Sequence, residues 1–282
     1  MVNSASSVVR ALPVLERAAS VPLALTISGA IAWLAWRSGS LSRSGAAAAL
    51  VVGTIALTTT WGWGLYLSAW FVLASALSRL GRARKTARVD RIVVKGNRRD
   101  AWQVLANGGV FAVAALTARA VPAQSLACAV AATTALAAAG ADTWATEIGT
   151  LVGGAPWSLR LRSTVPAGTS GAVSWAGTIG SLGGALTLSL IGATSHMISA
   201  SEIPAVVFGA IAGVWADTAL GAWWQVRYWC PACHEATEQE LHCCGVPCTR
   251  FGGIGPLDND AVNLACTIVG AVSALAWWSL AK

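Results

Sequence analysis

Acidic side chains are scarce in this sequence. The 282-residue chain holds twelve Asp and Glu against nineteen Lys and Arg, and charged residues make up only 11% of it. So little charge does not suit a water-soluble globular chain of this size, and with 55% hydrophobic residues and a positive mean hydropathy the composition is that of a membrane protein. There is no room between the apolar runs for a second globular domain, so residues 1–282 read as one membrane domain. The segment before Val21 carries Arg10, Glu16 and Arg17 without a small-residue cleavage site behind an apolar core, which argues against a removed signal peptide. No G-x-x-x-x-G-K-[ST] occurs, which excludes a P-loop. No glycine loop with downstream HRD and DFG occurs either, which excludes the protein-kinase design.

Long apolar runs are abundant instead, several of them above the roughly 18 residues needed to cross a bilayer. They predict an all-α, polytopic protein with eight spans at about 20–37, 44–60, 62–80, 101–119, 122–144, 171–197, 203–229 and 260–280. The second and third are separated only by "TTTWGWG", which leaves seven or nine open. Parity assigns the loops after spans one, three, five and seven to one side. Fifteen of the nineteen Lys and Arg fall there, and only Arg10, Arg17, Arg119 and Lys282 fall opposite. The positive-inside rule then makes 79–100 a basic cytoplasmic loop, 152–171 a polar one and 230–258 a Cys/His-rich one. Basic loops beside an anionic leaflet account for the charge without nucleic acid. The fifteen tryptophans, several at span ends, suit an aromatic belt.

The few acids stand out against this background. Asp142 lies roughly 30 Å along span five, at the cytoplasmic edge of the hydrocarbon, with Glu147 beyond it. Five residues apart, the two side chains point about 140° from each other on an ideal helix. Either the helix ends between them or they serve neighbouring parts of a site. In span seven, Gly209, Gly213, Asp217, Gly221 and Gln225 recur at steps of four, a ridge that permits close helix approach with an ionisable residue in its middle. "RLRSTVPAGTSGAVSWAG" offers Arg160, Arg162, Thr169, Ser170 and flexible backbone N–H groups ahead of span six. That suits a phosphate oxyanion, and it equally suits a capped Gly/Ser/Thr turn. Lys95, Arg98 and Arg99 precede a helix with Gln103 and Asn107 on one face. "PLDNDAVN" puts Asp258, Asn259, Asp260 and Asn263 at the start of span eight, where an Asp can serve simply as a helix cap.

Cys128 and Cys266 fall inside spans and read as small apolar residues. The other five cysteines lie in "CPACHEATEQELHCCGVPC", where a CxxC precedes a His-Cys-Cys cluster, the ligand count of a structural zinc site. Cys230, Cys233, His242 and Cys244 are the favoured set, with His234, Cys243 and Cys248 as alternatives. Disulfides compete, but a cytoplasmic loop disfavours them.

Acids at helix ends beside Arg, Lys and hydroxyl groups match Mg²⁺ held through carboxylate oxygens and phosphate held by cations. By themselves these residues do not separate a kinase from a phosphatase, a nucleotidyltransferase or a transporter of a phosphorylated lipid or small anion. Five ordered segments go further: "VKGNRRDAWQVLANGG", "GADTWATEIG", "VPAGTSGAVSWAG", "WADTALGAWWQVRYWCPAC" and "LDNDAVN". Over roughly residues 90–270 they resemble the motifs of the membrane family called domain of unknown function 92, which includes the phytyl-phosphate kinase of vitamin E synthesis. The resemblance implies transfer of a phosphoryl group from a nucleoside triphosphate, CTP among the candidates, to an isoprenoid monophosphate such as phytyl or geranylgeranyl phosphate. It also implies distant kinship to phytol and dolichol kinases. By position it implies Asn107, Asp142, Glu147 and Asp217 as catalytic residues, the three acids on Mg²⁺, with Lys95, Arg98, Arg99, Arg160, Arg162, Thr169 and Ser170 on phosphates. The expected partners are the bilayer and an isoprenoid phosphate. The expected setting is a bacterial inner or plastid-type membrane, with the site facing cytoplasm or stroma.

Overall fold

The computed structural model describes residues 15–81, 98–238, 240–242 and 244–281. Eight long helices run through the described residues: α1 (Val21–Arg37), α2 (Arg43–Thr59), α3 (Trp61–Arg79), α4 (Ala101–Ala120), α5 (Ser125–Val152), α6 (Trp175–Thr194), α7 (Ile203–Trp223) and α8 (Asn259–Leu280). Five of them, α4 to α8, are long and apolar enough to cross a membrane. α1 and α2 are apolar but only 17 residues each. The break between α2 and α3 falls at Thr60, whose backbone is extended and whose hydroxyl accepts from the Trp63 N–H. The short polar interruption is therefore a real helix boundary.

Two expected boundaries are wrong. α5 runs eight residues past 144 to Val152, because nothing in "ADTWATEIGTLV" breaks a helix until Gly153 and Gly154, which take φ of 82° and 102°. Asp142 and Glu147 therefore share one helix. α7 stops at Trp223, not at 229. The residues expected to prolong it, Arg227–Cys230 with the aromatic Tyr228 and Trp229, form strand β4, which takes its backbone hydrogen bonds from its sheet neighbours.

α5 is the central helix. Residues Cys128 to Ala141 are all buried, and α3, α4, α6, α7 and α8 all pack against it. Alanine and glycine leave at most a methyl group to hold neighbours off, so backbones approach closely, the packing mode of helices in lipid. Tyr66 ties α3 to this core, its hydroxyl donating to the Thr133 carbonyl at 2.8 Å. The α7 ridge seats on α5 and α8 together. A Cβ on Gly209 would lie 2.5 Å from the Gly270 carbonyl oxygen and 2.7 Å from Thr134 Cγ2. One on Gly213 would lie 2.6 Å from the Cys266 carbonyl oxygen and 3.0 Å from Ala138 Cβ. Thr134 and Ala138 are themselves four apart, so α5 and α7 advance in step, and one more step brings Asp142 and Asp217 to the same level.

Two small sheets sit at one end of the bundle. Between α5 and α6, β1 (Trp157–Ser158) pairs with β2 (Ser163–Thr164) and β3 (Ala172–Val173); between α7 and α8, β4 pairs with β5 (Glu235–Thr237) and β6 (Thr249–Gly252). The α1–α2 turn reaches the same end, where Arg99 exchanges backbone hydrogen bonds with Ser40 and Ser42. Arg17 and Arg119 meet the α2–α3 junction at the opposite end, through Arg17 O to the Trp61 N–H and Arg119 Nη1 to Thr58 O. Most of the basic segment, Lys95 included, lies outside the described residues.

The α7 ridge gives the first prediction. Gly213→Leu should abolish recovery of monodisperse protein in detergent, because overpacking against a carbonyl has no room to relax. Gly109→Ala, where a Cβ meets nothing within 4 Å, should elute and melt like the wild type. Thermal-shift size-exclusion chromatography distinguishes the two.

Candidate functional site

A polar cavity of about 240 Å³ opens at the end of the bundle that carries the two sheets. One wall is the α5 face of Asp142, Thr146, Gly149 and Thr150. α7 contributes Asp217 and Thr218, α6 contributes Ser174, Thr178 and Ser181, and α8 contributes Asn259 and Asn263. The loop 167–173 closes the mouth, with Gly168 and Gly171 at φ of 91° and 70°. Gly171 rests directly on the backbone of Ala222, which leaves no space for a side chain. The α7 ridge continues here: Gly221 packs under this loop and Gln225, just past the helix, lines the cavity.

Asp142 and Asp217 thus meet as the glycine ridge dictates, close enough for Asp217 to feel the Asp142 charge. Thr169 and Ser170 line the same space, although the Thr169 hydroxyl donates to the Pro166 carbonyl at 2.8 Å. The other expected site residues are elsewhere. Glu147 is turned away from the cavity toward Arg99, as the 140° separation from Asp142 requires. Burial lowers the Arg99 pKa, and the Glu147 charge opposes that. Arg99 lines a second, apolar cavity of about 180 Å³ among α1 to α4, donates to Ser75 Oγ at 3.3 Å and lies over the Phe71 ring. Arg98 is exposed beside Gly39. Arg160 and Arg162 are exposed around the β1–β2 turn, outside the cavity lining. Asn107 lines neither cavity, and its amide donates to the Gln103 carbonyl one turn back.

Glu238 is a cavity residue that the motifs missed. It follows β5 directly, accepts a hydrogen bond from the Ser170 hydroxyl, and acts on Asp217 together with Asp142. Burial pushes its carboxyl up to about 7, opposed by the nearby Gln225 amide. Its usable signal was position, one of twelve acids and on the same side as Asp142. The Cys/His loop that carries it gathers Cys230, Cys233, His242 and Cys244, whose ligand atoms all lie within 4.8 Å of one another.

The family model for the integral membrane protein DUF92 matches residues 26–271. The chain belongs to this family. Protein PGR of Arabidopsis thaliana is 27% identical over 269 residues, which is 87% of this chain and 92% of that protein. No solved structure matches. Of the DUF92 motif residues singled out in the sequence, Asp142 and Asp217 meet in one cavity, while Asn107 and Glu147 do not join them.

The Cys/His group of this chain has dimensions compatible with a tetrahedral metal site. Cys230 Sγ and Cys244 Sγ are 3.6 Å apart, and His242 Nδ1 is 3.4 Å from Cys244 Sγ. Ligands about 2.3 Å from a tetrahedral zinc stand about 3.8 Å from each other. The His242 ring and the Val246 N–H hold the Cys244 thiol down at about 6, while its hydrogen bond to Cys244 pushes the Cys233 thiol up to about 12. Cys243 lies outside the described residues, and Cys248 contacts the Val246 carbonyl. Elemental analysis of purified protein should find one zinc per chain, and Cys230→Ser with Cys233→Ser should remove it.

Proposed function

We propose that this chain is a membrane-embedded, Mg²⁺-dependent phosphotransferase that moves the terminal phosphoryl group of a nucleoside triphosphate onto an isoprenoid monophosphate, yielding the diphosphate. The observation that carries this reading is the convergence of Asp142 and Asp217, from two separate helices, on one cavity. That cavity lies at the end of the bundle where the described basic loops gather. The cavity wall is rich in carboxylate, hydroxyl and amide groups, a donor set that suits a hard cation with phosphate and water completing its shell. Such an ion, when bound, neutralises charge on the donor's phosphates. The positive-inside rule puts this end in the cytoplasm or stroma.

In the reaction a phosphate oxygen of the acceptor attacks the terminal phosphorus of the donor. The bond from that phosphorus to the bridging oxygen breaks, and the nucleoside diphosphate leaves with the electron pair. The attacking oxygen is already anionic, so no general base is required. Catalysis then consists of alignment and charge stabilisation. Asp142 and Asp217 hold the cation. The backbone of the 167–173 loop and the Ser170 hydroxyl, which can rotate away from Glu238 toward an anion, orient phosphate. Arg160 and Arg162, exposed nearby on the same loop, attract the anionic donor over distance without touching it in this conformation. The isoprenoid tail stays among the apolar helices, whose side chains are as apolar as the lipid it leaves.

The test is transfer of labelled terminal phosphate from CTP, ATP, GTP or UTP to phytyl or geranylgeranyl monophosphate by purified protein with Mg²⁺. Diphosphate should form, and Asp142→Asn should lower its rate at least a hundredfold. Equal rates in wild type and variant, or no transfer from any donor in folded protein, would overturn the reading.

A further inference from the structure

We infer that Glu238 is a third oxygen ligand of the cation site that Asp142 and Asp217 form, and that the metal in the Cys/His group controls this site by holding Glu238 in place. The inference rests on the reading of the two aspartates as a cation pair, and not on which phosphate is the acceptor.

Glu238 reaches the cavity through a short and fully specified path. β5 is Glu235–Thr237, and its partners on β4 run from Tyr228, opposite Thr237, to Cys230, opposite Glu235. Cys230 closes β4 and belongs to the four-ligand group. The same sheet therefore carries the metal site at one end and Glu238 at the other. Thr237 is buried and pins the last residue of the strand. The next side chain enters the polar cavity and meets the Ser170 hydroxyl from the opposite wall. Asp142 arrives from α5, Asp217 from α7 and Glu238 from the Cys/His module, three elements that chain connectivity alone would not bring together. Asp217 feels both other charges. Converging carboxylates repel unless a proton or a cation neutralises them.

A separate observation points to a bound ligand here. Gln225 lines this cavity and is only 3% exposed; its amide nitrogen is turned toward the Glu238 carboxylate, which it helps keep charged, but reaches no acceptor at full hydrogen-bond geometry. A buried donor without an acceptor is destabilising. The missing oxygen is supplied by a water on a hydrated cation or by a phosphate it carries. Glu147, once expected to complete the acid set, lies on the other side of α5, so Glu238 takes the third position.

Mn²⁺ is the probe, because its free form gives an electron paramagnetic resonance signal that disappears on binding. Zinc-loaded protein in detergent should bind one Mn²⁺ tightly. Glu238→Gln should weaken that affinity at least tenfold, and Glu238→Asp, which keeps the carboxylate, should weaken it less. Glu240→Gln is the control: Glu240 sits in the same module but is exposed, accepts from the Tyr228 hydroxyl and lies outside the cavity. It should bind like the wild type. Cys230→Ser with Cys233→Ser, which empties the Cys/His group, should lose affinity as Glu238→Gln does while circular dichroism stays helical. Wild-type affinity in Glu238→Gln would overturn the ligand role, and wild-type affinity in zinc-free protein would overturn the coupling. If Asp142→Asn binds Mn²⁺ as tightly as wild type, the cation pair itself falls, whatever the outcome of the phosphate-transfer assay.

Discussion

Inside a bilayer the hydrophobic effect does not press one helix against another, so helices associate where their backbones can come close. The α7 ridge of Gly209 and Gly213 meets that condition against α5 and α8, with carbonyl oxygens standing where side chains would otherwise be. The meeting of the two aspartates follows from this contact. α5 and α7 advance in equal steps of four, so Asp217 comes level with Asp142. One turn further on, Gly221 makes room for the 167–173 loop, and Gln225 ends up on the cavity wall. A single helix face thus specifies packing, acid placement and loop docking in succession.

The two loops that cover this end differ in how they are held. The α5–α6 loop has only two-residue strands and depends on Gly171 lying flat on Ala222. The α7–α8 loop has longer pairings and a Cys/His group suited to a metal. Such a group replaces a hydrophobic core in a segment too small to have one. The Ser170–Glu238 hydrogen bond joins the two loops across the cavity, so the firmer loop steadies the looser one.

Much of this was legible in the sequence because helices in lipid announce themselves by length and apolarity. All eight expected spans coincide with helices, within a few residues at most ends. The Gly209-to-Gln225 ridge was visible as a period of four, and Asp142, Asp217, Thr169 and Ser170 do come together. Glu147 was expected on the metal with Asp142 and Asp217, and the roughly 140° between it and Asp142, visible in the spacing, is what keeps it out of the cavity. What periodicity could not reach were the loops. Arg160 and Arg162 read as phosphate ligands by charge and proximity in sequence, yet the β1–β2 turn carries them outward. Glu238 was hidden because its position depends on strand pairing and on cysteines brought together from residues 230 to 244, a geometry with no helical repeat to read.

On this reading one cation site lies between α5 and α7. Anomalous diffraction at the manganese edge, from crystals grown with MnCl₂, tests it most directly. A cation site there gives a single strong peak coordinated by the Asp142 and Asp217 carboxylates. A well-ordered map with no peak there, or with a peak beside Glu147 on the far face of α5, would contradict it.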